Sequence, residues 1–268
     1  TPRSWCGRAC AGPDPAGVYP SRRIGYKGKA RNAAGCCVGA PMLVSHRHRF
    51  VFIHVYKVAG TSMRQALERF CEDKWKRRAA RLLAGKGLYR PDLPPAHLTA
   101  LEARERLSPR VFDDYFTFAF VRNPWDWQVS LYHYMRKTPY HHQHELAQRL
   151  KDFDAYIHWR VEEEVRLQKA FVTDAQGTVI VDYVGRMEHL ADDFGHVCRA
   201  VGLPPIRLPH ENRSGHRDYR DYYTDETREM VARAFAEDID LFGYTFDGPV
   251  PRPKGSPGTP PETATASA

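Results

Sequence analysis

The chain has 268 residues, enough for one sizeable α/β domain, and its 42% hydrophobic and 12% aromatic content can fill a core. No stretch approaches the ~20 uninterrupted apolar residues of a membrane-spanning helix, so no membrane span is expected. The net charge of +8 sits mostly outside the core: residues 1–45 carry +6 and residues 248–268 carry +1, leaving +1 for residues 46–247. A specific nucleic-acid partner is therefore not expected of the folded part, and any anion site there depends on local placement of a few residues.

Residues 1–45 are rich in Gly, Pro, Ala and Arg without helical or strand periodicity and read as a disordered basic tail. Residues 46–247 read as the domain, and the Pro, Thr and Ala stretch of residues 248–268 as a second disordered tail. Cys6, Cys10, Cys36 and Cys37 fall in the first tail without zinc-ribbon spacing, and Cys71 and Cys198 occupy apolar helical positions suited to buried free thiols. No metal is expected, and oligomeric state stays open. The chain begins with Thr1 rather than Met, so its residues constrain the compartment only weakly.

In chain order, Phe50–Tyr56 is a short apolar, aromatic and β-branched run that predicts a buried parallel strand. Lys57-Val-Ala-Gly-Thr-Ser62 predicts a loop, after which Met63, Ala66, Leu67 and Phe70 recur at helical spacing. Tyr115–Val121 predicts a second strand, and Asn123 with Pro124 predicts a capped helix to about Arg136. Leu146, Leu150, Phe153 and Ile157 mark a further helix, and residues 171–181 a hairpin turning at Gln176-Gly177. Leu190, Phe194, Val197, Cys198 and Val201 form a helical stripe closed by Gly202 and Pro204. Thr224 caps a last helix carrying Val231, Phe235, Ile239 and Phe242. Strands feeding helices argue for an α/β core.

The first loop carries chemistry. A glycine-containing loop ending in Thr-Ser at a helix start offers backbone N–H groups to an anion, and Lys57 adds an ammonium beside them. An ordinary strand-to-helix turn with a solvated Lys is the competing reading. Lys57 precedes Gly60 rather than following the last glycine, so the loop is not a Walker loop, which weakens ATPase and kinase readings. The second strand ends at Arg122, with Ser130 two turns into the next helix. Were the two strands parallel neighbours, their carboxyl ends would converge on one crevice, suiting a nucleotide phosphorylated at two separated points.

Three segments carry a family resemblance: His54-Val-Tyr-Lys-Val-Ala-Gly-Thr-Ser-Met-Arg64, Phe116–Tyr132 with its Arg122-Asn-Pro-Trp125, and Val181–Leu190 with Asp193-Phe194. Leu208–Ser214, Tyr222, Asp238 and Phe242-Gly-Tyr244 add to it. Together they resemble the PAPS-dependent sulfotransferases, in the family 2 branch of carbohydrate and bacterial enzymes; PAPS is 3′-phosphoadenosine 5′-phosphosulfate. The resemblance implies a P-loop-NTPase-like three-layer α/β fold with a central parallel sheet. It implies sulfuryl transfer from PAPS to a hydroxyl or amine, with carbohydrate as the expected acceptor and no metal required, and as compartment the cytoplasm for a complete bacterial chain or the Golgi lumen if a membrane anchor precedes Thr1. Lys57, Val58, Ala59, Gly60, Thr61 and Ser62 would form the 5′-phosphosulfate loop, Lys57 stabilising the leaving phosphate, and Arg122 and Ser130 would hold the 3′-phosphate. Trp127 departs from the pattern, since relatives often carry Arg there.

Transfer needs a base for the acceptor proton, and His is suited to it near neutral pH. His97 lies between the two binding strands, in a context where related sequences often place a His, and is the expected base; a surface or cap His is the bland alternative. Glu102 is the understudy, and His54 reads as a core residue. His141, His142 and His144 read as solvated or acceptor-lining rather than metal-binding, and Arg186 with Glu188 as a structural ion pair. Arg64 reads as an exposed helix charge, with the phosphosulfate in reach as the alternative, and Arg213 and Ser214 read equally as a solvated loop or as residues able to close over the nucleotide. Two rivals stand beside the sulfotransferase: a nucleotide or small-molecule kinase, which requires magnesium and ATP, and a non-catalytic polyanion-binding protein using residues 1–45.

Overall fold

The computed structural model describes residues 42–71, 97–208 and 217–251. The greater part of both expected tails, together with Arg213 and Ser214, lies outside the described residues.

The two predicted strands form and are neighbours. β2 (Phe50–Ile53) and β3 (Phe116–Val121) run parallel, with Phe52 opposite Phe118 and Ile53 opposite Ala119. Their continuous apolar sequence reflects burial on both faces. Phe52 and Phe118 stack across the pair at 5.2 Å between ring centroids. A third parallel strand, β4 (Tyr183–Arg186), pairs with the far side of β3, and β1 (Leu43–Ser45) pairs antiparallel with β2 through the turn at residues 46–49. The sheet order is β1-β2-β3-β4, a mixed α/β architecture around a central parallel sheet. Among the described residues no helix is long and apolar enough to cross a membrane.

Neither outer strand was predicted. β1 lies within the segment expected to be tail, where Met42, Leu43 and Ser45 are buried. β4 owes its glycine to packing: a Cβ on Gly185 would stand 2.4 Å from Cε1 of Phe120, its partner across the sheet. The chain is also ordered past residue 247, because β6 (Gly248–Pro249) pairs with β5 (Tyr244–Thr245).

The helices follow their apolar stripes. α1 (Gly60–Glu68) buries Met63, Ala66 and Leu67. α2 (Ala100–Arg106) and α3 (Pro109–Asp114) lead into β3, and α4 (Pro124–Lys137) leaves it under the Asn123 cap. The predicted helix through Leu146 and Ile157 is two helices, α5 (His144–Arg149) and α6 (Phe153–Glu163), because the Asp152 side chain accepts from Ala155 N and starts a new first turn. α7 (Leu190–Ala200) packs on β4, burying Phe194, Val197 and Cys198 of the expected stripe and part of Leu190. The last helix also divides, at Phe235, into α8 (Asp225–Ala234) and α9 (Ala236–Phe242). The expected hairpin is reduced to one bridge, Thr173 to Val179. Its turn is held by the Asp174 carboxylate, which accepts from the amides of Gln176 and Thr178.

Candidate active site

The loop after β2 is held in a shape its residues do not choose unaided. Lys57 and Ala59 have φ of 64° and 58°, left-handed values that cost a residue with a Cβ about 1–2 kcal/mol each. Three contacts fix it: Val58 is fully buried, Trp127 Nε1 donates to Tyr56 O at 2.8 Å, and Arg122 Nη1 donates to Lys57 O at 3.4 Å. Trp127, the departure from the family pattern, thus ties the end of β2 to α4.

α1 starts at Gly60 with no side-chain cap on Ala59 and no acidic residue in its first turn. Its N-terminal amides and the positive end of its dipole face the loop with no acidic residue of the helix's own first turn beside them. Gly60 admits no side chain, since a Cβ would lie 1.7 Å from Nε2 of the buried His54. Gly60→Ala is expected to unseat His54 or tilt the first turn, lowering stability by about 1–3 kcal/mol in urea unfolding. Wild-type stability would show that His54 has room to move away.

Arg122 follows β3 and is buried. Its Nε donates to Asp126 Oδ2 at 2.6 Å, one turn along α4, and among the described residues no protein hydrogen bond engages Nη2. The next residue is clamped as well. Asn123 N donates to Glu188 Oε1 at 2.7 Å, Asn123 Nδ2 donates to Thr245 O at 2.8 Å, and Asn123 Oδ1 caps α4 through Trp125 N. Burial pushes the Glu188 carboxyl above its ordinary range, opposed by the Asn123 amide and the Tyr244 hydroxyl that donate to it. Ser130 is buried on α4.

The histidines are sorted by their hydrogen bonds. His97 Nδ1 lies 3.0 Å from His54 O; a carbonyl only accepts, so Nδ1 carries the proton and Nε2 keeps its lone pair. The His97 ring packs 4.5 Å from that of His54 and 6.1 Å from that of Tyr56. Loss of water lowers the pKa of His97, the His54 carbonyl opposes that shift, and the Arg64 charge adds to it. His54 is driven down further, by burial and then by His97 and Arg64. Arg64 is itself buried rather than an exposed helix charge.

His141 has the opposite tautomer: Gln143 N donates to its Nδ1 at 3.2 Å, so Nε2 carries the proton. Burial brings its pKa down to about 4, with the charges of His142 and Lys57 acting in the same direction and Glu164 opposing. Tyr134 joins His141 to the loop, because the His141 ring meets its edge at 5.5 Å and Lys57 Nζ sits 4.0 Å from its centroid. His142 stacks on His141, and His144 Nδ1 donates to Met135 O. Among the described residues no group of three His, Cys, Asp or Glu is arranged to hold a metal ion.

Two expectations are corrected. Glu102 closes a capping box at the start of α2, its Oε2 accepting from Thr99 N at 2.9 Å, which occupies the carboxylate proposed as understudy base. Arg186 and Glu188 serve different partners: Arg186 donates to Phe242 O and Val250 O, whereas Glu188 takes Asn123 N and Tyr244 Oη. Sequence reasoning missed Asp126 beside the loop and Gln168 behind it, and it noted Trp127 and Asp238 only against the family pattern, without their structural roles. Asp126 alone had a local signal, its i+4 spacing from Arg122.

The sequence model of the Sulfotransferase family matches residues 40–245, which span every element from β1 to β5. Over 104 residues the chain is 31% identical to an uncharacterized protein of Archaeoglobus fulgidus, a match covering 38% of this chain and 79% of that protein. A solved structure of mouse sulfotransferase SULT7A1 complexed with PAP aligns at 14% identity and a TM-score of 0.45, covering 74% of this chain and 86% of that one. The family match takes in well over half of the sequence and includes both loops and the helices that follow them: the chain belongs to the sulfotransferase family.

Proposed function

We propose that the protein transfers the sulfuryl group of PAPS to a hydroxyl, or less readily an amine, of a carbohydrate acceptor. The observation that carries this reading is the contact between Arg122 Nη1 and Lys57 O, which brings the two cationic loops together at the carboxyl ends of adjacent parallel strands. The residues present suit a donor with two separated anionic groups. Lys57, Val58, Ala59, Gly60, Thr61 and Ser62 offer the 5′ end an uncapped helix terminus and an ammonium. Arg122, fixed through Nε with Nη2 left over, and Ser130 farther along α4 receive the 3′-phosphate.

In the reaction His97 Nε2 takes the acceptor proton as the acceptor oxygen attacks sulfur. The bond from sulfur to the 5′-phosphate oxygen breaks, and Lys57 with the first amides of α1 stabilises the charge that collects on that oxygen. The step as proposed draws only on groups of the chain and calls for no metal. The flat faces of Tyr134, His141 and His142 beside Lys57 support a sugar acceptor.

The test is calorimetric titration with 3′-phosphoadenosine 5′-phosphate (PAP) in the presence of a chelator, comparing wild type with Arg122→Ala. Binding by wild type, weakened about 10- to 100-fold by the substitution, is expected. Equal binding by both proteins, or none by a folded wild type, overturns the assignment.

A further inference from the structure

Arg122 stands one residue beyond β3, where the ladder to β4 ends with Val121 opposite Arg186. Its peptide groups are nevertheless paired. Arg122 N donates to Gln168 Oε1 at 2.9 Å, and Gln168 Nε2 donates to Arg122 O at 2.8 Å. A carboxamide has the donor and acceptor of a peptide group in one plane, so the Gln168 side chain extends the sheet by one residue. Gln168 is fully buried and is held in turn: its own N–H and that of Lys169 donate to the two oxygens of Asp238, each at 2.8 Å. Asp238 is likewise fully buried, on α9.

The partners span three distant parts of the chain: two of the bonds end on the backbone of Arg122, whose side chain links the two loops, and the other two hold the residue that makes them. Asp126 orients the Arg122 guanidinium through Nε, but a guanidinium is only as well placed as the Cα that carries it. We infer that Gln168 is a positioning residue for the donor site, acting through Arg122 by locking its peptide N–H and C=O, with Asp238 holding Gln168 in register. This inference rests on the donor-site reading given above.

If Gln168 merely anchored residues 168–171 to the sheet, its loss would lower stability without a selective effect on the donor. The experiment is PAP titration of wild type, Gln168→Met, Arg122→Ala and the double variant, with the acceptor KM and melting temperature measured on each. Gln168→Met is expected to raise the PAP Kd about tenfold while the acceptor KM stays within about twofold. In the Arg122→Ala background the same change is expected to shift Kd by less than about twofold, because the group Gln168 positions is gone. Asp238→Asn, which loosens Gln168 without touching Arg122, is read in the same way should Gln168→Met fail to fold. A wild-type Kd in a folded Gln168→Met protein, or the same factor with and without Arg122, overturns the inference. Absence of PAP binding by wild type overturns the donor-site reading and this inference together, whereas weakening by Arg122→Ala without weakening by Gln168→Met overturns this inference alone.

Discussion

Lys57→Ala is expected to lower kcat by about 10²–10³ while changing PAP affinity far less. In the proposed mechanism the charge facing Lys57 is largest on the bridging oxygen as the bond to sulfur breaks, so its contribution would belong to the transition state rather than to the bound donor. The ammonium is held 4.0 Å from the Tyr134 centroid, on a backbone at positive φ. Arginine at residue 57 should rescue poorly, since a planar fork does not fit where a compact point charge rests over a ring. Single-turnover kinetics with a saturating donor measures the effect directly. A kcat within about threefold of wild type for Lys57→Ala would remove Lys57 from the chemistry.

His97→Asn is expected to cost about 10²–10⁴ in kcat and to leave donor binding intact. The amide can still donate to His54 O, so the fold around the loop is kept while the lone pair able to take a proton is lost. The pH profile adds a second reading. A base acts only when unprotonated, so activity is present above its pKa and falls as pH drops through it. With the pKa of His97 lowered by burial, the acid limb of kcat/KM should lie below the ordinary histidine value of about 6.5, and His97→Asn should abolish that limb. An acid limb that survives unchanged in His97→Asn would remove His97 as the base. Glu102→Gln should leave the limb unmoved, because that carboxylate serves the cap of α2.

What could be read in advance was whatever is written locally. The apolar runs of β2 and β3, the Lys57–Ser62 loop between β2 and α1, the Asn123 cap and the α7 stripe each occupy a few consecutive residues whose types answer to one neighbour or one period. The Thr99 to Glu102 capping box was legible by the same rule and was passed over for a catalytic reading. β4 was not legible, since four residues including a glycine make a weak strand signal until the Phe120 ring that requires the glycine is known. Gln168 left no trace at all, and Asp238 stood out only as part of the family pattern, with nothing to show what it holds. Their partners lie 46 and 70 residues away along the chain, and a buried carboxamide looks like any surface glutamine when only its neighbours in sequence are considered. The divided helices failed for a related reason, because the apolar stripe continues across Asp152 and Phe235 while the backbone does not.

The short edge strand β1 also sets the order in which the sheet can assemble. Leu43 to Ser45 meets its partner through a tight turn, so this pairing closes a loop of a few residues on the microsecond scale of a hairpin. The parallel pairings must bring together segments as far apart as Phe50 and Phe116, or Phe118 and Tyr183, and carry the entropy of closing those longer loops. A chain trimmed to begin at residue 46 loses the one pairing in the central sheet that forms locally. It is left to nucleate from its slowest contacts, with the β2 edge open to other chains while it does so.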